Sequence, residues 1–181
     1  MTNPSSRLRT LDFAYIALFA VLITISAWIS IPFAVPFTLQ TFAVFLSLMT
    51  LGGRRGFYAV LVYLLMGAVG FPVFSGFQGG LGVLMGASGG YLTGFLAIAL
   101  LYRIIASGGY PSPFRMQIAS LIGLIACYSL GTIWFSAGYA HASSGSFLSA
   151  LTVCVLPYVI PDLIKLALAF TISRRLKQFL K

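Results

Sequence analysis

Asp162 and Lys165 stand three residues apart inside an otherwise apolar run, and no other residues in this sequence are better placed to do chemistry. Positions i and i+3 share one face of a helix, so the carboxylate and the ammonium can meet. An ionisable pair in hydrocarbon carries a large desolvation cost that packing alone gives no reason to incur. The pair therefore marks a substrate or ion site; the plainer alternative is a self-neutralising pair that fixes helix register. Pro157 and Pro161, just upstream, suit a helix that starts around them, because the first turn needs no amide donor there.

A second region of interest runs from Phe71 to Tyr91, uncharged, aromatic and dense in glycine. Irregular backbone at membrane depth is tolerated where it is buried in protein or lines a cavity. Gly79 and Gly80 would let the backbone approach a ligand closely, while Phe74, Phe77 and Met85 offer an apolar wall. Ser88-Gly89-Gly90-Tyr91 would open a helix, whose first amides are free to meet an acceptor. The plainer alternative is a flexible connector.

Other chemistries lack their parts. No glycine cluster is followed by the Lys-[Ser/Thr] of a nucleotide-binding loop, and two acids in the whole chain leave nothing to hold magnesium at a phosphate. The single His141 has no second imidazole or nearby carboxylate, so it reads as a loop residue rather than a metal ligand or triad member. Cys127 and Cys154 lie in apolar runs without C-x-x-C spacing and read as core thiols. One buried aspartate beside a lysine is thin material for acid–base catalysis, so neither an enzyme nor a cofactor or metal is expected.

The elements that must position these residues follow from composition. Of 181 residues 60% are hydrophobic and 7% charged, with 11 Lys+Arg against 2 Asp+Glu. A soluble domain carries about a quarter charged residues, and a nucleic-acid binder gathers its cations on one wet face; a polytopic membrane protein remains. Arg7 and Arg9 precede an apolar stretch too long for a cleavable leader and without an A-x-A site, so a permanent first span is expected. Basic clusters divide the chain into three helical hairpins, each about two bilayer crossings long at roughly 20 residues per crossing. Expected spans are 12–30, 37–52, 56–70, 88–106, 116–137 and 157–177, in one domain over 1–181.

Arg7, Arg9, Arg54, Arg55, Arg103, Arg115, Arg174, Arg175, Lys177 and Lys181 all fall on one side of this six-span, all-α integral membrane arrangement. The positive-inside rule puts that side, with both termini, in the cytoplasm. Trp28 and Trp134 then sit near the outer interface, as belt anchors or as ligand-stacking rings, and Asp162 and Lys165 lie in the outer half. Taken alone, these features describe a binding protein with an outward-facing pocket for a small, partly polar ligand.

The strings Ile31-Pro-Phe-Ala-Val-Pro-Phe-Thr-Leu-Gln-Thr41, Gly52-Gly-Arg-Arg-Gly56, Tyr63 to Phe74, Gly89-Gly-Tyr-Leu-Thr-Gly-Phe95 and Pro157 to Lys165 carry a resemblance. The chain resembles, collinearly from Leu11 onward, the BioY family, the biotin-binding substrate (S) components of energy-coupling factor (ECF) transporters. Gly86-Ala-Ser-Gly-Gly-Tyr91 stands where the family has G-P-T-G-G-Y, and Ile160-Pro-Asp162 where it has P-G-D. The resemblance implies a six-helix S-component-like fold in the cell membrane of a bacterium. It implies capture of biotin from outside and import with a transmembrane coupling subunit and two ATP-binding-cassette ATPases, though some members are thought to work without them. By position it implies that Gln40 and Thr41 open span two at the site, and that Phe77 to Gly90, with Gln78, Gly79, Gly80, Met85, Ser88, Gly89 and Gly90, covers the ligand. Tyr91, Asp162 and Lys165 complete the set. S components often carry small residues on span one for docking; Ala14, Ala17 and Ala20 are the candidates here.

Biotin has a ureido carbonyl that accepts, two ureido N–H groups that donate, and a terminal carboxylate. Aspartate only accepts and lysine only donates. Either Asp162 takes a ureido N–H with Lys165 on the carbonyl and Ser88 or Tyr91 near the tail, or Lys165 takes the carboxylate. An S component for another vitamin, such as thiamin or riboflavin, is the second reading, and a membrane enzyme a distant third.

Overall fold

In the computed structural model, residues 9–33, 35–106, 111–138, 151–152 and 154–177 are described. Apolar runs uninterrupted by charge form the long elements: α1 (Thr10–Trp28), α2 (Gln40–Val69), α4 (Gly89–Ile105), α5 (Pro113–Gly138) and α6 (Leu156–Leu176). Between α2 and α4 lie a 3₁₀ turn, Ser75–Phe77, and the one-turn helix α3 (Leu81–Leu84). Helices α1, α5 and α6, of 19, 26 and 21 residues, are long and apolar enough to cross a membrane, and α4 is a shorter apolar helix. The expected break at Gly138–Gly145 and His141 fall largely or wholly in 139–150, outside the described residues, as do Arg7 and Lys181.

The expected spans 37–52 and 56–70 share one element that reverses at Gly52 (φ 82°, ψ 168°), a backbone region almost confined to glycine. Eight residues of unbroken helix would extend about 12 Å. Instead, a Cβ placed on Gly56 would come within 2.8 Å of the Leu48 Cα, so the two limbs of α2 lie against each other.

α2 is the centre of the packing, touching α1, α4 and α6, while α5 packs on α4 and only grazes α6. Phe45, Leu48, Met49, Tyr63, Ile98 and Tyr102 are fully buried along its flanks. Lipid tails give helices no hydrophobic reason to associate, so close approach through small residues has to supply the contact. Gly94 meets Cys127 at a distance that leaves no room for a methyl group, Gly123 meets Ile98 where one would be tight, and this close approach joins α4 to α5.

Cations gather at one end of the bundle. Asp12, in the first turn of α1, accepts from the Arg9 amide at 2.9 Å and pairs with Arg55 just past the Gly52 reversal at 2.7 Å. Gly53 abuts the Arg103 backbone, Arg115 donates to the Ile105 carbonyl at 2.8 Å, and Lys177 reaches Met116. At the other end, two features shape the site. The first is a two-residue antiparallel ribbon, β1 (Ser30–Ile31) with β2 (Phe37–Thr38), pairing Ser30 with Thr38 and Ile31 with Phe37. The second is the long connection from Gly70 to Ser88.

Candidate functional site

Pro157 stands in the first turn of α6, where its missing amide costs nothing, and Pro161 follows one turn later within the helix. The next residue is Asp162, and the helix carries Asp162 and Lys165 inward on one face, with side chains 4% and 8% exposed. Lys165 Nζ donates to Asp162 Oδ1 at 2.8 Å, to the Thr38 carbonyl at 2.7 Å and to Thr41 Oγ1 at 3.2 Å. Thr41 Oγ1 in turn donates to Asp162 Oδ1 at 2.8 Å, and the Tyr128 hydroxyl of α5 donates to Asp162 Oδ2 at 2.6 Å. The ammonium also lies 4.1 Å from the centre of the Phe37 ring, a cation–π contact strengthened by burial.

Counting donors and acceptors shows what remains open. An ammonium has three hydrogens, and Lys165 has three acceptors. Each carboxylate oxygen takes about two donors. Among the described residues Oδ1 of Asp162 has both, while Oδ2 has Tyr128 and keeps one acceptor position open.

The start of α2 is tied into the same network. Thr38 Oγ1 accepts the Gln40 amide at 3.2 Å and donates to Gln40 Oε1 at 2.9 Å, while Gln40 Nε2 donates to the Tyr63 hydroxyl from the returning limb of α2. Tyr158 donates to the Val35 carbonyl and packs on Phe37 at 5.9 Å, fixing the ribbon against α6.

These groups border a cavity of about 90 Å³. Of the residues expected from sequence, it is lined by Gln40, Thr41, Gln78, Ser88, Tyr91, Asp162 and Lys165, with Phe74 as apolar wall. Phe77 and Met85 do not line it: they are 64% and 67% exposed, and Phe77 stacks on Trp28 at 4.9 Å on the outside of the loop. Gly79 and Gly80 hold the loop's shape rather than its inner surface: the Gly80 amide donates to the Gly67 carbonyl at 2.7 Å, and a Cβ on Gly79 would sit 2.1 Å from the Phe71 carbonyl oxygen. Gly89 and Gly90 are buried at the start of α4, where Gly90 admits the Trp134 side chain. On α1, Ala14 and Ala17 face outward, while Ala20 is buried within the chain.

Several lining residues were not singled out from sequence: Tyr128, Tyr158, Thr38, Val35, and the two thiols Cys127 and Cys154. The available signal was the phenol. A tyrosine in mid-span needs a partner for its hydroxyl, and Asp162 was the only intramembrane acid available to Tyr128. The tryptophans act as clasps on the cover, with Trp28 Nε1 donating to the Pro72 carbonyl at 2.9 Å and Trp134 Nε1 to the Gly86 carbonyl at 3.0 Å.

Comparison with known proteins bears on this arrangement. The family model described as BioY family matches residues 1–181. The chain is 44% identical over 163 residues to a biotin transporter BioY of Thermotoga maritima, covering 89% of this chain and 92% of the relative. It is 36% identical to a probable biotin transporter BioY of Pyrococcus horikoshii, covering 92% and 96% of the two chains. A crystal structure of the S-component for biotin from an ECF-type ABC transporter superposes with a TM-score of 0.79 at 28% identity, over 98% of this chain and 95% of that one.

Proposed function

This chain belongs to the BioY family, and we propose that its enclosed pocket captures biotin from outside the cell for import. The observation that carries the reading is the buried Asp162–Lys165–Thr41–Tyr128 network bordering a cavity in a chain of this family. Biotin's compact bicyclic ring matches a wall of Phe74, Leu92 and Phe95, and its polar ureido edge needs the donors and acceptors that the network offers.

The free acceptor position on Asp162 Oδ2 favours a ureido N–H at that oxygen. Lys165 has no spare hydrogen, so it serves the ligand by fixing the position of the Asp162 carboxylate or by exchanging its bond to the Thr38 carbonyl for one to the ureido oxygen. The valerate then extends toward Ser75, Gln78 and Ser88 beneath the covering loop. Biotin methyl ester distinguishes this pose: it retains most of the affinity here, whereas a carboxylate seated on Lys165 would make the ester bind far more weakly.

In this reading the chain crosses the cell membrane six times, with the two limbs of α2 as separate spans and both termini on the cytoplasmic side, where the cations gather. Support comes from the reversal at Gly52 and the one-ended grouping of Arg55, Arg103, Arg115 and Lys177. Energy for release inward comes from an ECF coupling subunit and two ATP-binding-cassette ATPases, since the sequence has no nucleotide-binding loop of its own. The outward-facing Ala14 and Ala17 on α1 are the docking surface offered to that subunit, with Ala20 packing behind them.

Calorimetric titration of the detergent-purified chain with biotin, thiamin and riboflavin tests the substrate. Nanomolar binding of biotin alone, about −12 kcal/mol, is expected. Selective binding of either other vitamin, or no binding of biotin, would overturn the assignment.

A further inference from the structure

α5 and α6 lie side by side but barely touch, and the seam between them has two hollows in line. At the basic end is a cavity of about 510 Å³ bordered by Pro113, Met116, Phe170, Arg174, Arg175 and Lys177. One turn deeper is a second of about 320 Å³, between Phe114, Gln117, Ile118 and Leu121 of α5 and Leu163, Leu166 and Ala167 of α6. The first has a cationic rim over an apolar floor, and the second is mostly apolar, with Gln117 as its one polar residue among those described.

Among the described residues the rim has no acidic side chain of its own. The sequence has two side-chain carboxylates, and both are taken: Asp12 pairs with Arg55 and Asp162 with Lys165. Among the described residues Lys177 donates to the thioether of Met116, at 3.7 Å, and Arg174 lies 5.9 Å from the centre of the Phe170 ring. Partial burial of Lys177 holds its ammonium below the usual lysine value, as desolvation without a nearby anion requires.

The dimensions fit a lipid. From Leu163 to Arg174 the helix rises roughly 16 Å at about 1.5 Å per residue, about half the ~30 Å hydrocarbon core and so the depth of one leaflet. We propose that the α5–α6 seam binds one anionic phospholipid, with its phosphate on Arg174, Arg175 and Lys177 and an acyl chain laid against Phe114, Leu121, Leu163 and Ala167. A free phosphate would use the rim and leave the apolar hollow unfilled. A second copy of this chain has no unpaired side-chain carboxylate to bring to the rim.

Native mass spectrometry of the full chain, titrated in detergent with palmitoyl-oleoyl phosphatidylglycerol and separately with the phosphatidylcholine of the same chains, tests the site. Arg174 and Arg175 are exposed, so Arg174→Gln with Arg175→Gln leaves the core intact; Ala167→Phe, also at an exposed position, fills the apolar hollow. The expected result is a one-to-one phosphatidylglycerol adduct, lost at least tenfold in the double arginine variant and weakened in Ala167→Phe, with little phosphatidylcholine bound. Equal retention of the two lipids by the wild-type chain would overturn the proposal, and this arm needs no variant. So would competition by inorganic phosphate with no effect of Ala167→Phe, which marks a simple anion site. A lipid-independent dimer dissociated by Ala167→Phe would assign the seam to a second copy instead.

Discussion

Removing either charge at the site strands the other at a buried position, and that asymmetry dominates what substitutions there should do. Asp162→Asn and Lys165→Ala are each expected to weaken biotin binding by about 2–5 kcal/mol, read by calorimetry. Tyr128→Phe removes one hydrogen bond to a charged oxygen and leaves the ion pair, so a smaller loss of about 1.5–3 kcal/mol is expected. Full affinity in both charge variants would leave Asp162 and Lys165 only a role in helix register. The ion pair was legible in the sequence because charge inside an apolar run is rare and i, i+3 spacing fixes its geometry. Tyr128 and Thr38 were not, since a tyrosine and a threonine are ordinary in such runs and their meaning depends on which residues face them across the bundle. Phe77 and Met85 show the converse: a glycine-rich loop has no periodicity from which to read which face turns inward, and these two turn out.

Long helices were legible for a plain reason: in hydrocarbon an uncharged run of sufficient length has few structures other than a helix available. Where a run must turn, glycine marks the place, but its conformation is set by the packing of the limbs it joins. Gly52→Ala forces a side chain into a region of backbone space costing on the order of 1–3 kcal/mol, and with no atom within 4 Å of the added carbon, that strain is the whole effect. Thermal unfolding in detergent should show a lowered midpoint for Gly52→Ala and almost none for Gly82→Ala, which has open space and an ordinary helical φ. The β1–β2 ribbon had no signal beyond the family strings, being two residues per strand. The clasps on the covering loop were likewise invisible: spacing places Trp28 and Trp134 at the outer interface but says nothing of Pro72 and Gly86. Replacing both tryptophans with phenylalanine keeps one aromatic ring at each position and deletes two hydrogen bonds of about 0.5–1.5 kcal/mol each, with the pyrrole ring that carries them. Biotin dissociation from the double variant should then quicken by about an order of magnitude in stopped-flow measurements; an unchanged rate would move the exit path away from this loop.

The polarity of the whole molecule decides whether its pocket can serve uptake at all. Cations reach one end through contacts that are individually small, such as Arg55 on Asp12 or Arg115 on the Ile105 carbonyl, whereas the pocket and its cover lie toward the other. Under the positive-inside rule the proposed orientation has the basic end in the cytoplasm and the cover outside. Two exposed positions report on it, Phe71 in the covering connection and Arg54 beside the Gly52 reversal, against a background in which Cys127 and Cys154 are buried. Phe71→Cys should react with a membrane-impermeant maleimide added to intact spheroplasts, and Arg54→Cys only after permeabilisation. The reverse pattern would place the pocket mouth in the cytoplasm, where a high-affinity vitamin site could retain biotin but not capture it, and the import reading would fall while the site chemistry stood. The expected pattern makes the remaining problem energetic. On the reading proposed above, a site that holds biotin through a buried ion pair and a clasped loop would release it when a partner distorts that geometry, and the exposed Ala14 and Ala17 of α1 are the surface proposed to receive that work.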